Sequence, residues 1–216
     1  MKKVLILAAC VLISTCAYSQ TIGYGIDAGL NITKVPMTLG KPQYNNSQAG
    51  FHARGFVDIQ FGSFSFQPGL MFKVKGGATK PDSAEVSTGI TTPAVGTTHL
   101  LIDYIEIPLN FFYRIKTDYG NIFLGGGPYV ALAVHASTVF NGTYSGGSVN
   151  QENAVEFGSN YPGINNKDFG INGIVGVRLK NIYFSAGYGE SLVSISAINS
   201  NVKNQGYSFS LGYFIK

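Results

Sequence analysis

The side chains able to do chemistry are few and far apart. His52, His99 and His135 are the only imidazoles in 216 residues. His135-Ala136-Ser137 sets a hydroxyl two residues from an imidazole, the pair from which a general base activates a serine nucleophile. That chemistry also needs an acid and oxyanion donors, and no Gly-x-Ser-x-Gly elbow is present. Strand parity, developed below, points His135 and Ser137 inward or into a loop. Three separated histidines make no tetrahedral metal set. Gly125-Gly126-Gly127 has the composition of a phosphate cradle, but it lies within apolar alternation with no helix after it, and reads as close-packed strand. The expectation is therefore no enzyme, and no catalytic, cofactor-binding or metal-binding residue.

The ionic residues are the second candidates. Arg54, Asp58, Lys73, Glu106, Arg114, Asp168 and Arg178 stand singly among small and polar residues. They can line a narrow ion path, or they can pair and fill a closed interior. Buried charge without a partner is costly, so pairing is the expectation.

The elements that must position them alternate with period two, the signature of half-buried strands. Eight such stretches run over 22–33, 51–61, 64–75, 103–115, 122–134, 168–179, 182–188 and 207–215. Gly62-Ser63 has the composition of a type II′ hairpin turn, and Lys180-Asn181 is a second two-residue turn. Residues 76–98, 136–166 and 191–204 lack periodicity and read as loops, as does the Pro36- and Pro42-containing segment. Long and short connections alternate, so every long loop falls at one end and both termini at the other. Pro68, Pro108 and Pro128 lie within strands and imply bulges or breaks in the ladder.

The first 19 residues read as a leader. Lys2 and Lys3 precede an apolar run from Val4 to Ile13, and Ala17-Tyr18-Ser19 supplies small residues before a cut that leaves Gln20 first. A lipoprotein-like Leu7-Ala8-Ala9-Cys10 leaves too short an apolar stretch ahead of the cysteine. Cleavage after Ser19 removes both cysteines, Cys10 and Cys16. It also leaves 13 basic against 11 acidic residues, which gives no reason to propose nucleic acid as a partner.

Alternation alone leaves open which face is inside: a soluble lipocalin-like barrel turns its apolar face in, a membrane barrel turns it out. Composition decides. Charged residues are only 12% of the chain, against about 25% in ordinary domains. The polar face is mostly Gly, Ser, Asn, Thr and Ala, which suits the cramped interior of a small barrel, and the apolar face carries only Asp103. The fold expected is all-β: an eight-stranded antiparallel up-and-down transmembrane β-barrel. Ile107, Leu109, Phe111, Leu124, Val130, Leu132, Val177, Phe209 and Leu211 are expected to face lipid.

Gly29-Leu30-Asn31, Phe66-Gln67-Pro68-Gly69-Leu70, Tyr104-Ile105-Glu106-Ile107-Pro108-Leu109, Gly125-Gly126-Gly127-Pro128-Tyr129 and Asp168-Phe169-Gly170 resemble, in order and spacing, the PorT-type outer-membrane β-barrel family. The resemblance implies a Gram-negative outer membrane, and its founding member is linked to export of secreted proteins. The expected partners are outer-membrane lipid and proteins of the cell envelope, with no cofactor and both mature termini on the periplasmic side. Thr143-Tyr144-Ser145 and Phe157 are the loop residues best placed by type to meet a partner, or else are solvated. Function then reads as a structural or interaction barrel, with an accessory role in secretion as what the resemblance implies and a narrow pore as the alternative.

Overall fold

Strands that face lipid must pair their backbone N–H and C=O groups on both edges, and this chain supplies a partner all the way round. The computed structural model describes residues 20–35, 46–79, 84–86, 90–144, 147–158, 164–196 and 202–215. The leader, with Cys10 and Cys16, and also Ser145, lie outside the described residues. Among the described residues ten strands are formed: β1 (Gln20–Lys34), β2 (Asn46–Phe61), β3 (Phe64–Thr79), β4 (Ala84–Val86), β5 (Ile90–Thr117), β6 (Gly120–Tyr144), β7 (Gly147–Ala154), β8 (Lys167–Leu179), β9 (Ile182–Ser191) and β10 (Gln205–Phe214). Eight of them close a ring in the order β1-β2-β3-β5-β6-β8-β9-β10, antiparallel at every step, with β10 returning to β1. The protein is an eight-stranded β-barrel.

Two expected loops are strands instead. β3 runs on to Thr79 and β5 begins at Ile90, so much of 76–98 is ladder; β6 continues to Tyr144 and returns as β7 through much of 136–166. Here both faces leave the apolar surroundings of the wall, so the period-two signal fades although the Thr- and Val-rich composition still favours strand. β4 pairs with β5, and β7 with β6, beyond the positions where β3 and β8 let go. The result is a blade of β5, β6 and β7 standing on one side of the barrel mouth, with β4 paired to β5 at its tip.

The turns at the other end are tight. Gly62 has φ 63° and Ser63 is not left-handed, as a type II′ turn requires, and Lys180 adopts φ 56° at the equivalent position. The prolines break the ladder without shifting it: pairing skips between Pro68/Leu109 and Met71/Glu106, and again between Pro108/Tyr129 and Phe111/Gly126, in unchanged register. The bulges lie elsewhere, one of them at Val134, where Asp103 pairs with His135 and Tyr104 with Ala133. That extra residue turns His135 outward, against the inward direction expected from parity. It is more than half exposed, with Nδ1 3.4 Å from Asp103, while Ser137 is buried.

Outside, the wall is an apolar band. The nine side chains expected to face lipid all lie there, each between 36% and 56% exposed. Tyr24, Tyr113 and Tyr213 ring its turn end and Phe51, Phe169 and Tyr207 its loop end, the aromatic girdles of a membrane barrel. No helix of the described residues is long and apolar enough to cross a membrane; this wall crosses with strands.

Candidate functional site

The interior is where this chain concentrates its polar chemistry, and it is filled in layers. At the turn end Phe56, Phe112, Phe123, Tyr183 and Phe214 meet across the lumen, edge-on except for the tilted Tyr183–Phe214 pair, with ring centroids 5.3–6.1 Å apart. Beside them Arg114 Nη2 donates to both oxygens of Asp58 at 2.6 Å, and its Nη1 to Gln60 Oε1 at 2.8 Å. The Arg178 guanidinium lies 3.7 Å from the centre of the Phe214 ring, and its Nε donates to the Lys180 carbonyl at 2.8 Å.

One layer up, Asp27 Oδ2 accepts from Arg54 Nε at 2.7 Å and from the Tyr183 hydroxyl at 2.5 Å. His52 bridges two strands, with Nδ1 3.2 Å from Asn31 Oδ1 and Nε2 2.9 Å from Ser210 Oγ. Asn31 and Thr33 also use their side chains on the β3 backbone, Asn31 Nδ2 donating to the Val74 carbonyl and Thr33 Oγ1 bonding both polar groups of Gly76. They supply these bonds where the β2–β3 register shifts between Ser47 and His52.

Above this, Lys75 Nζ sits 2.9 Å from Glu106 Oε2 and 3.2 Å from Asp168 Oδ2, over the rings of Tyr104 and Tyr129. Asn204, from the segment ahead of β10, donates to Asp168 Oδ2 at 3.1 Å and to the Tyr104 hydroxyl at 3.2 Å. The mouth is then covered by Val35, Val155, Ile164, Ile195 and Val202, packed on Leu100, Ile102 and Tyr104. Backbone bonds from Ile195 to Val202 and from Asn165 to Ile195 hold this cover. Phe157 packs against the same cluster, whereas Thr143 is exposed near the tip of β6.

Of the seven charges singled out in the sequence, only Arg114 and Asp58 pair with each other. Arg54, Glu106 and Asp168 take partners outside that set, Asp27 and Lys75. Lys73 lines a cavity of about 60 Å³ and makes no ion pair within the described residues. Its charge is balanced nonetheless, since the Lys75 cluster holds two carboxylates against one ammonium. Asp27, His52, Lys75 and Tyr183 were legible as inward by parity; nothing in one sequence said that they would meet. The inward aromatics are the larger omission, because a face described as small and polar hid seven rings at its alternate positions, the five at the turn end together with Tyr104 and Tyr129.

The space that remains is small. The 60 Å³ cavity lies between the long charged side chains of β2, β3 and β5 and the short Ser185, Gly187, Ser208 and Ser210 of β9 and β10. A second hollow of about 20 Å³ lies among the turn-end rings. A water needs roughly 10–15 Å³ by this measure, and drug-sized ligands occupy about 300–1,000 Å³ pockets, so these spaces suit a few waters. Among the described residues no group of His, Cys, Asp or Glu can hold a metal ion.

The family model described as "Outer membrane protein beta-barrel domain" matches residues 18–197. No curated protein sequence matches the chain. Among solved structures the chain is similar to Ail, the attachment invasion locus protein of Yersinia pestis, in complex with the heparin analogue sucrose octasulfate, at 14% identity, 89% of this chain, 99% of that one and TM-score 0.43. It is also similar to Neisserial surface protein A (14%, 88% and 96%, TM-score 0.39) and to the translocator domain of the autotransporter NalP from Neisseria meningitidis (10%, 98% and 95%, TM-score 0.26).

Proposed function

We propose, for a chain that belongs to the outer membrane protein beta-barrel domain family, a non-enzymatic role as a closed barrel that anchors in the outer membrane and works through its extramembrane strands. The observation that carries this reading is the filled lumen. Two seals in series, the turn-end rings and the apolar cover, enclose ion-paired layers and leave room only for scattered water. A continuous ion path has no space there, which favours the interaction barrel over the narrow pore.

The finer parts of the reading are proposals with it. Residues 1–19 are a cleaved leader, the termini and tight turns lie on the periplasmic side, and the blade and mouth cover lie outside the cell. Placement in the PorT-type branch, with an accessory role in protein secretion, rests on the five ordered motifs that begin at Gly29. Purified protein in a planar lipid bilayer tests the central claim: the closed barrel gives no stable unitary openings, and reproducible openings would overturn it. Pull-down from mildly solubilised envelopes tests the secretion role, which fails if no secretion component is recovered.

A further inference from the structure

β7 has one partner. Its ladder to β6 runs unbroken from Tyr144/Gly147 to Ser137/Ala154, and among the described residues no strand pairs with its other edge. The Val155 amide donates to the Ala136 carbonyl at 2.9 Å. Hydrogen-bonded and non-hydrogen-bonded pairs alternate along an antiparallel ladder, so Val149, Gln151 and Asn153 bond to β6. The amides and carbonyls of Ser148, Asn150, Glu152 and Ala154 point away from it, and all four residues are exposed.

Sheet edges are ordinarily blunted by lysine, proline, a bulge or a covering segment, because bare edges recruit strands. Gly147–Ala154 carries no lysine, no proline and no bulge. The charge around it has one sign: from Ala136 to Asn166 the chain contains Glu152 and Glu156 and no Lys or Arg, and both glutamates are exposed.

We propose that the free edge of β7 is a docking site for an extended, basic segment of another protein, which adds antiparallel to Ser148–Ala154 as a further strand of the blade. Backbone pairing supplies the affinity in this mode, and side-chain chemistry the selectivity. Lysine or arginine beside Glu152 and Glu156 is the selectivity this edge offers. A second copy in the same membrane does not fit: antiparallel β7-to-β7 pairing needs a two-fold axis perpendicular to the blade, which would put the two barrels in opposed membranes. The site rests on the interaction-barrel reading and names its partner chemistry.

The probe is a twelve-residue peptide alternating Lys with Thr, added to the full barrel in detergent micelles. Saturable binding is expected, with amide exchange slowed at Ser148, Asn150, Glu152 and Ala154 and unchanged at Val149, Gln151 and Asn153. Ser148→Pro with Asn150→Pro removes two outward amides, keeps both glutamates, leaves the β6 ladder intact, and is expected to weaken binding at least tenfold. Exchanging Lys for Glu in the peptide should abolish it. Absence of binding, equal affinity for the proline variant, or exchange slowed at the inward-bonded set instead would each overturn the proposal. Exchange on the unaltered protein decides the matter even where the variant folds poorly. Bilayer conductance, which decides the closed-barrel reading, is a separate readout, so the two fail independently.

Discussion

Lys75 Nζ lies 2.9 Å from Glu106 Oε2 inside the barrel, with 4% and 2% of the two side chains exposed. Asp168 completes the cluster from β8. Lys75→Met leaves two carboxylates facing Lys73 alone and is expected to cost about 3–5 kcal/mol. Lys75→Met with Asp168→Asn removes one charge of each sign, leaves Glu106 to balance Lys73, and should recover most of that loss. Urea unfolding from lipid vesicles measures both; equal destabilisation of the single and double variants would contradict a paired network.

Lys180 holds φ 56° in the two-residue turn between β8 and β9. A side chain in the left-handed region costs roughly 1–2 kcal/mol, which glycine avoids, while glycine's freer unfolded chain gives back part of the gain. Lys180→Gly should therefore raise the unfolding midpoint modestly, by the equivalent of about 0.5–1 kcal/mol.

Phe209 lies mid-strand on the outer face of β10, and Ile215 beyond the end of that strand, both more than half exposed. A cation at the bilayer midplane costs about 2–4 kcal/mol and near an interface about 0–1 kcal/mol. Phe209→Arg should weaken folding into vesicles by the larger amount and Ile215→Arg by the smaller. Equal costs would mean that this face does not look onto lipid.

The two seals act in series. Phe123→Ala with Phe214→Ala opens the turn end, and Ile164→Ser with Ile195→Ser opens the cover, but each alone leaves the other closed. Both double variants are expected to be electrically silent in bilayers, and the combined variant to show openings. Heat-modifiable gel migration confirms that each has folded.

Much of the wall was legible in the sequence, because lipid on one side and a cramped interior on the other impose the same two-residue period on every strand. Phe61 and Phe64 flank Gly62-Ser63 and pair directly, and Leu179 and Ile182 do so around Lys180-Asn181. Legibility failed where that asymmetry ends. Above the band, Thr97 and Asn141 pair as strand residues although nothing apolar marks one face of them. At Val134 a single inserted residue reverses the direction of His135, and period counting has no means to foresee an insertion. Within the lumen, parity states that Asp27, Arg54 and Tyr183 point inward. Their meeting depends on how the ring closes, which places β1 and β9 either side of β10 across more than 150 residues of chain.

β6 is 25 residues long and stays paired with β5 for nearly all of it. At about 3.3 Å per residue and a strand tilt near 40°, its rise is roughly 60 Å, about twice the ~30 Å hydrocarbon core. With the mouth outside the cell, as proposed, the upper part of the hairpin would stand about 30 Å clear of the hydrocarbon layer. On an intact cell it would be the first part of the protein that an antibody or a phage tail fibre reaches, and a stiff mast on which to display an inserted epitope.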